Sequence, residues 1–207
     1  MFISANGYLT FNNGSTASIN ADLATQTVVT DPGIFPFFDD LYPGSGGEIR
    51  YGTFGPAGSR VFVVEYDDVL RFGPETSGGT FQIRLFETTN VIEFHYFDVV
   101  WGDASADYEA GATVGIRAGG PGSSYLQYLA NSAQIENGLA LRLWQPTCGG
   151  KAVTLVGDRG ADILDGVSGV ADVIYGHQGN DTINGLDGTD TICAGGGSDT
   201  VAAARTW

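Results

Sequence analysis

Basic residues are scarce in this 207-residue chain: one Lys and eight Arg stand against 24 Asp and Glu, for a formal net charge of −15. That balance excludes a nucleic-acid-binding face, which needs a basic patch to meet phosphates, and it makes anionic membranes poor partners. It keeps the chain soluble through self-repulsion, which multivalent cations relieve. No run of about 18 apolar residues exists, so no membrane span is expected. No basic segment followed by an apolar one opens the chain, so no signal peptide is visible. "MFISANGYLTF" instead begins in mid-strand, with Phe2, Ile3, Tyr8, Leu9 and Phe11 flanking an Asn6-Gly7 hairpin signal. A truncated start, with any export signal upstream, is the expectation. Helical periodicity is nearly missing, and Ser123 to Gln134 is the only weak helical candidate. The two cysteines, Cys148 and Cys193, fit one disulfide or two unrelated thiols.

Catalytic signatures are equally thin. Neither G-x-S-x-G nor H-E-x-x-H occurs. His95 sits on the outward side of a predicted strand as a surface or packed residue rather than a base, and His177, the other histidine, lies in a repeat turn. The carboxylate pairs Asp39/Asp40 and Asp67/Asp68 are sequence neighbours, which a strand points to opposite faces, so neither makes a facing acid/base couple. Asp103, Asp107 and Glu109 read as an acidic surface loop, with an extra calcium loop as the alternative. Tyr42, Tyr51, Trp101 and Tyr108 are a candidate sugar-stacking patch among aromatics that are mostly core.

Apolar material is ample, at 43% hydrophobic and 12% aromatic residues, enough for a real core. Up to Trp144 the chain reads as short strands broken by Gly, Pro, Asn and Asp turns. Phe81, Ile83 and Leu85 alternate with Gln82 and Arg84. Ile92, Phe94 and Tyr96 alternate with Glu93 and His95, and the intervening Thr88 to Asn90 turn predicts an antiparallel hairpin. Residues 1–144 are therefore expected to form an antiparallel β-sandwich in an all-β protein. "QPTCGGK" breaks the pattern, so residues 145–156 read as a linker and 157–207 as a second domain.

In that second region the period changes to nine. Aspartates 162, 172, 181, 190 and 199 recur at spacings of 10, 9, 9 and 9, each followed two residues later by Leu164, Ile174, Ile183, Ile192 or Val201. A flexible Gly/Asp tail explains neither the phase nor the aliphatic positions. If two units make one turn of a right-handed roll, residues 18 apart stack. Ile174 then lies over Ile192 and Ile183 over Val201, while Asp172 meets Asp190 and Asp181 meets Asp199. Stacked carboxylates repel. Residues 151–207 hold eight Asp, no Glu and only Lys151, Arg159 and Arg205 to offset them. A hard divalent cation held by carboxylates and turn carbonyls answers the repulsion, and Ca²⁺ suits such an irregular site better than Mg²⁺.

The units "GHQGNDTIN", "GLDGTDTIC" and "AGGGSDTVA" resemble the glycine-rich nonapeptide of the repeats-in-toxin (RTX) family, whose short parallel β-roll binds calcium. The resemblance implies side-chain ligands at Asp162, Asp172, Asp181, Asp190 and Asp199, with carbonyls around Gly160, Gly169, Gly179, Gly188 and Gly197. The doubled first glycine of the family is replaced by Asp158, Val167, His177 and Leu186 and kept only at Gly195, and an extra residue near Ala171 should bulge one turn. The "CGGK" start and later "DTIC" resemble repeat modules of secreted proteins, which favours a Cys148–Cys193 disulfide and an oxidising, extracellular setting. Closing that loop of about 46 residues contributes ~4 kcal/mol in the chain-entropy model.

The order of "ISANGYLTF", "FPFFDDLYPGSGGEIRYGTFG", "RVFVVEYDDV", "TFQIRLFETTNVIEFHYFDVVWG" and "ATVGIRAGG" resembles the nidogen-type (NIDO) extracellular domain over Ile3 to Leu143. It implies cell-matrix adhesion, with a cell-surface or matrix protein or a glycan as partner, and supplies no catalytic residues. The alternative is a carbohydrate-binding or accessory module of a secreted hydrolase.

Overall fold

The computed structural model describes residues 1–73, 77–102, 111–120, 122–132 and 134–202. The chain divides into two compact units, Met1–Leu143 and Trp144–Trp207. Every regular element among the described residues is a strand.

The first unit contains β1 (Phe2–Ser4), β2 (Tyr8–Thr10), β3 (Gly33–Phe38), β4 (Glu48–Phe54), β5 (Val61–Val69), β6 (Gly79–Phe86), β7 (Ile92–Asp98), β8 (Thr113–Arg117), β9 (Tyr125–Ala130) and β10 (Ala140–Leu143). They form two five-stranded antiparallel sheets, ordered β1-β2-β3-β8-β9 and β10-β7-β6-β5-β4. The inner faces share one core, in which Ile34, Phe37 and Val114 of the first sheet meet Val64, Tyr66, Phe81, Ile83 and Phe94 of the second. Burying each such side chain contributes about 1.5–3 kcal/mol relative to leaving it exposed, and two phenols add cross-sheet ties. Tyr66 Oη donates to the Ser4 carbonyl at 2.5 Å and Tyr96 Oη to the Pro36 carbonyl at 2.8 Å.

Strand β3, "GIFPFF", is buried along its whole length, which its unbroken apolar run demands. Phe37 faces the shared core, while Phe35 and Phe38 pack with Tyr8, Leu23 and Val29 on the sheet's other side. The irregular segment that supplies Leu23 and Val29 is held by buried Arg117, which donates to the carbonyls of Leu23 (3.0 Å), Gln26 (3.1 Å) and Val29 (2.7 Å).

The Asn6-Gly7 hairpin and the β6/β7 hairpin form as expected. The helix candidate at Ser123–Gln134 does not: Tyr125–Ala130 is an edge strand paired with β8. A register shift between Val114 and Gly115 breaks its alternation, so Leu129 is buried while Leu126 is 57% exposed. Apolar residues that read as helical spacing are the two sides of a bulged strand.

The stretch 145–156 is not a linker. Strands β11 (Thr147–Cys148) and β12 (Lys151–Ala152) form a hairpin, and β13 (Leu155–Val156) opens the roll. The roll continues with β14 (Ile163–Asp165), β15 (Val173–Tyr175), β16 (Thr182–Asn184), β17 (Thr191–Cys193) and β18 (Thr200–Ala202), in two parallel sheets ordered β13-β15-β17 and β14-β16-β18. Ile174 pairs with Ile192 and Ile183 with Val201. Leu164, Ile174 and Ile183 form the thin core between the sheets, with Leu155 and Ile192 packed against it. Six strands make three coils, one strand more than the five aspartate-bearing units imply.

Candidate metal site in the C-terminal roll

Each coil-to-coil step places the turn aspartates in columns. Asp172 stacks on Asp190 and Asp181 on Asp199. The extra residue of the second unit lets Asp162, 19 residues earlier, stack on Asp181. The columns are hydrogen-bonded: the backbone N–H of Asp162 donates to Asp181 Oδ1, that of Asp172 to Asp190 Oδ1, and that of Asp181 to Asp199 Oδ1, all at 3.0 Å. One oxygen of each lower carboxylate therefore locks register.

The second oxygen faces back across its own turn. Asp162 Oδ2 accepts the Asp158 N–H at 2.8 Å and Asp172 Oδ2 the Val167 N–H at 2.7 Å. Asp181, at the centre of its column and 1% exposed, has a buried Oδ2 with no hydrogen-bond partner. An uncompensated buried carboxylate oxygen is costly, and two unit charges at the ~4.8 Å strand spacing repel by roughly 3 kcal/mol at an effective dielectric near 20. Both penalties are relieved by a cation in the turn, so the residues present fit one. Among the described residues no three acidic, His or Cys side chains converge, so a cation here would take backbone carbonyls beside two carboxylates.

Those carbonyls explain the glycines. A β-carbon on Gly179, Gly188 or Gly197 would lie 1.8, 2.0 or 1.7 Å from the carbonyl oxygen of Gly160, Val170 or Gly179 of the preceding coil. The three also take φ of +133°, +154° and +138°, which L side chains rarely adopt. In the second unit the carbonyl position belongs to Val170 rather than to Gly169. The extra residue is absorbed in a tight turn, with Val170 N–H donating to the Val167 carbonyl at 3.0 Å and Gly169 at φ +78°. The bulge leaves Asp172 in its column.

Two participants lie outside the aspartate pattern. Asn180 Oδ1 accepts the Ser198 N–H at 2.9 Å, tying two turns together. A first unit also exists, in which Leu155 pairs with Ile174 and Val153 stands where the aspartate would be. Its signal was Gly149-Gly150 followed by an aliphatic residue nine before Leu164. Cys148 and Cys193 are disulfide-bonded, with Cα atoms 5.7 Å apart, and join the hairpin to β17 in a small cluster with Val153 and Val173.

Asp39, Asp67 and His95, considered for catalysis, each have a structural partner. Asp39 is buried and paired with Arg71 at 2.7 Å; burial raises its carboxyl above the usual range despite that cation. Asp67 meets Arg50 at 2.7 Å, and His95 meets Glu93 at 2.9 Å. Asp68 takes φ +53° at a bulge of β5. Of the proposed sugar-stacking patch, Trp101 is fully buried, its ring against Phe37 and its Nε1 donating to the Val69 carbonyl at 3.1 Å. Tyr42 packs edge-on against Phe72, and Tyr51 is 71% exposed. Asp103, Asp107, Tyr108 and Glu109 lie outside the described residues.

An antiparallel sandwich in one unit and a parallel roll with stacked turn carboxylates in the other define an all-β, calcium-binding class of protein. The chain belongs to the NIDO-related family, whose model matches residues 1–143. The RTX calcium-binding nonapeptide repeat (4 copies) matches residues 149–170 and 168–201, so calcium is the roll's cofactor. No match was found among curated proteins or among solved structures. No described helix is long and apolar enough to cross a membrane.

Proposed function

We propose that the chain is a secreted, non-catalytic contact protein. Its sandwich would hold a cell-surface or matrix partner, and its roll would be completed by calcium outside the cell. The observation that carries the calcium half is the buried, unpartnered Asp181 Oδ2 within a column of three aspartates. The ligands are Asp162, Asp172, Asp181, Asp190 and Asp199, with turn carbonyls at Gly160, Val170, Gly179, Gly188 and Gly197. Pairing stacked aspartates gives three inter-coil sites: Asp162/Asp181, Asp172/Asp190 and Asp181/Asp199. Ca²⁺ accepts six to eight oxygens in flexible geometry and extracellular modules bind it at about 10⁻⁴–10⁻³ M, so export into millimolar calcium would complete the fold.

The adhesion half rests on the family of the sandwich. Surfaces coated with the intact chain should retain matrix proteins or cells in calcium and release them in EDTA. Equal retention by coated and uncoated surfaces contradicts the contact role, and hydrolysis of ester or glycoside substrates by the purified chain contradicts the non-catalytic one.

A further inference from the structure

The outer face of the sheet β10-β7-β6-β5-β4 carries a shallow groove of about 490 Å³, remote in sequence from the calcium turns. Gly52 opens its floor beside Val63, its cross-strand partner. On the edge strand β4, Phe54 folds its ring back over that glycine: a β-carbon at position 52 would lie 3.3 Å from two ring carbons. The residue is nonetheless 63% exposed, so a flat aromatic surface faces solvent. Val61 and Phe86, in register with Phe54, continue the apolar side.

The other end of the groove is polar and ordered. Arg84 donates through Nε and Nη2 to Gln82 Oε1 at 3.0 and 2.8 Å, and Gln82 Nε2 donates to Glu65 Oε1 at 2.7 Å. The guanidinium is thus oriented by a neutral amide and has no ion pair among the described residues. Its neighbours differ: Arg50 pairs with Glu48, Glu65 and Asp67, Arg60 with Glu87, and Arg142 with Glu93. In a chain of net charge −15, this oriented arginine stands beside an exposed aromatic ring with no described carboxylate at ion-pair distance, because its cross-strand partner Glu93 is engaged by His95 and Arg142, and Glu65 by Gln82 and Arg50.

We propose that this groove binds an acidic sugar, a pyranose whose C–H face lies on the Phe54 ring and whose carboxylate meets the Arg84 guanidinium. Planar guanidinium forks match carboxylates, and a flat ring on an open surface suits a sugar face, whereas an apolar side chain calls for an enclosed pocket. This names the partner class for the sandwich and rests on reading that unit as the contact module.

The test is equilibrium binding of the full chain, at saturating Ca²⁺, to a tetrasaccharide alternating glucuronate and N-acetylglucosamine. Its carboxyl-reduced neutral form and a peptide ending in Phe serve as comparisons. Arg84→Gln and Phe54→Ala, both checked for an unchanged unfolding temperature, should each weaken tetrasaccharide binding about tenfold or more, as should carboxyl reduction, while Phe54→Tyr should retain it. Equal binding of the neutral form, indifference to Arg84→Gln, binding of the peptide alone, or no binding at millimolar tetrasaccharide would each overturn the proposal. Calcium-dependent adhesion that survives Arg84→Gln rejects this site and leaves the contact role standing. Loss of all adhesion by the unmodified chain rejects the contact role itself.

Discussion

Replacing Asp181 by Asn separates the two jobs of its carboxylate. Asn retains an Oδ1 acceptor for the Asp162 N–H, now made at 3.0 Å, so the column keeps its register. It removes the charge and replaces the buried, unpartnered Oδ2 with an amide. Asp181 belongs to two of the three proposed sites, so the substitution should leave only Asp172/Asp190 intact. A ligand at 100 times its Kd stabilises by ~2.7 kcal/mol per site. The calcium-linked stabilisation should therefore fall from about 8 to about 3 kcal/mol in calorimetry and circular dichroism. In EDTA the sign reverses, because roughly 3 kcal/mol of repulsion per neighbouring carboxylate is relieved, and the variant should be as stable as the parent or more so. Asp165→Asn, on an exposed residue of β14, is the control and should change neither number. A variant with three bound calcium ions and an undiminished calcium-induced shift would show that Asp181 is not a shared ligand.

Three other outcomes follow from the same geometry. His177 and Leu186 occupy the place of the family's second glycine at φ +77° and +58°, a conformation that costs an L residue about 1–2 kcal/mol; Leu186→Gly should raise the roll's unfolding temperature, and a lowered one would show that the side chain matters more than the strain. Loss of the Cys148–Cys193 link, which spans 45 residues, by Cys193→Ser or by reductant should destabilise the roll by ~4 kcal/mol in calcium-free buffer, read as the shift in its denaturant midpoint. Glu87 accepts from the Gly58 N–H and from the backbone and side chain of Arg60, and these bonds hold its carboxyl down at about 2, from 4.5. Since the folded value is depressed, its contribution is complete above pH 4.5 and is lost as pH falls toward 2. The Gly58 amide resonance should shift over that lower range, and a midpoint near 4.5 would contradict the clamp.

The parts of the fold legible in the sequence are those whose signal is local and periodic. Gln82 and Arg84 between core-facing Phe81, Ile83 and Leu85, and the 9-residue aspartate phase, each report a face directly. What was not legible depends on distant partners. Strand β3 pairs with β8 through Ile34 and Ile116, a separation no local pattern encodes, and the bulge opposite Gly115 gave β9 a helical spacing. A β-carbon at Gly115 would lie 2.3 Å from the Leu126 carbonyl, so the cause sits on the neighbouring strand. The same holds at the site. The aspartate columns followed from the period, but the shift of the carbonyl position from Gly169 to Val170 depends on how one inserted residue turns, and the Val153 unit lost the aspartate that marks the others. Trp101, a candidate for an exposed patch by its loop position, is core because Gly79 leaves room for its ring: a β-carbon there would lie 1.9 Å from it.

If calcium completes the roll through stacked aspartates, calorimetric titration of the metal-free chain with Ca²⁺, followed in parallel by far-ultraviolet circular dichroism, will register it. About three ions should bind per chain, with a gain in β-structure and thermal stability, reversal by EDTA, and a much weaker response to Mg²⁺. No heat and no spectral change up to millimolar Ca²⁺ would contradict it.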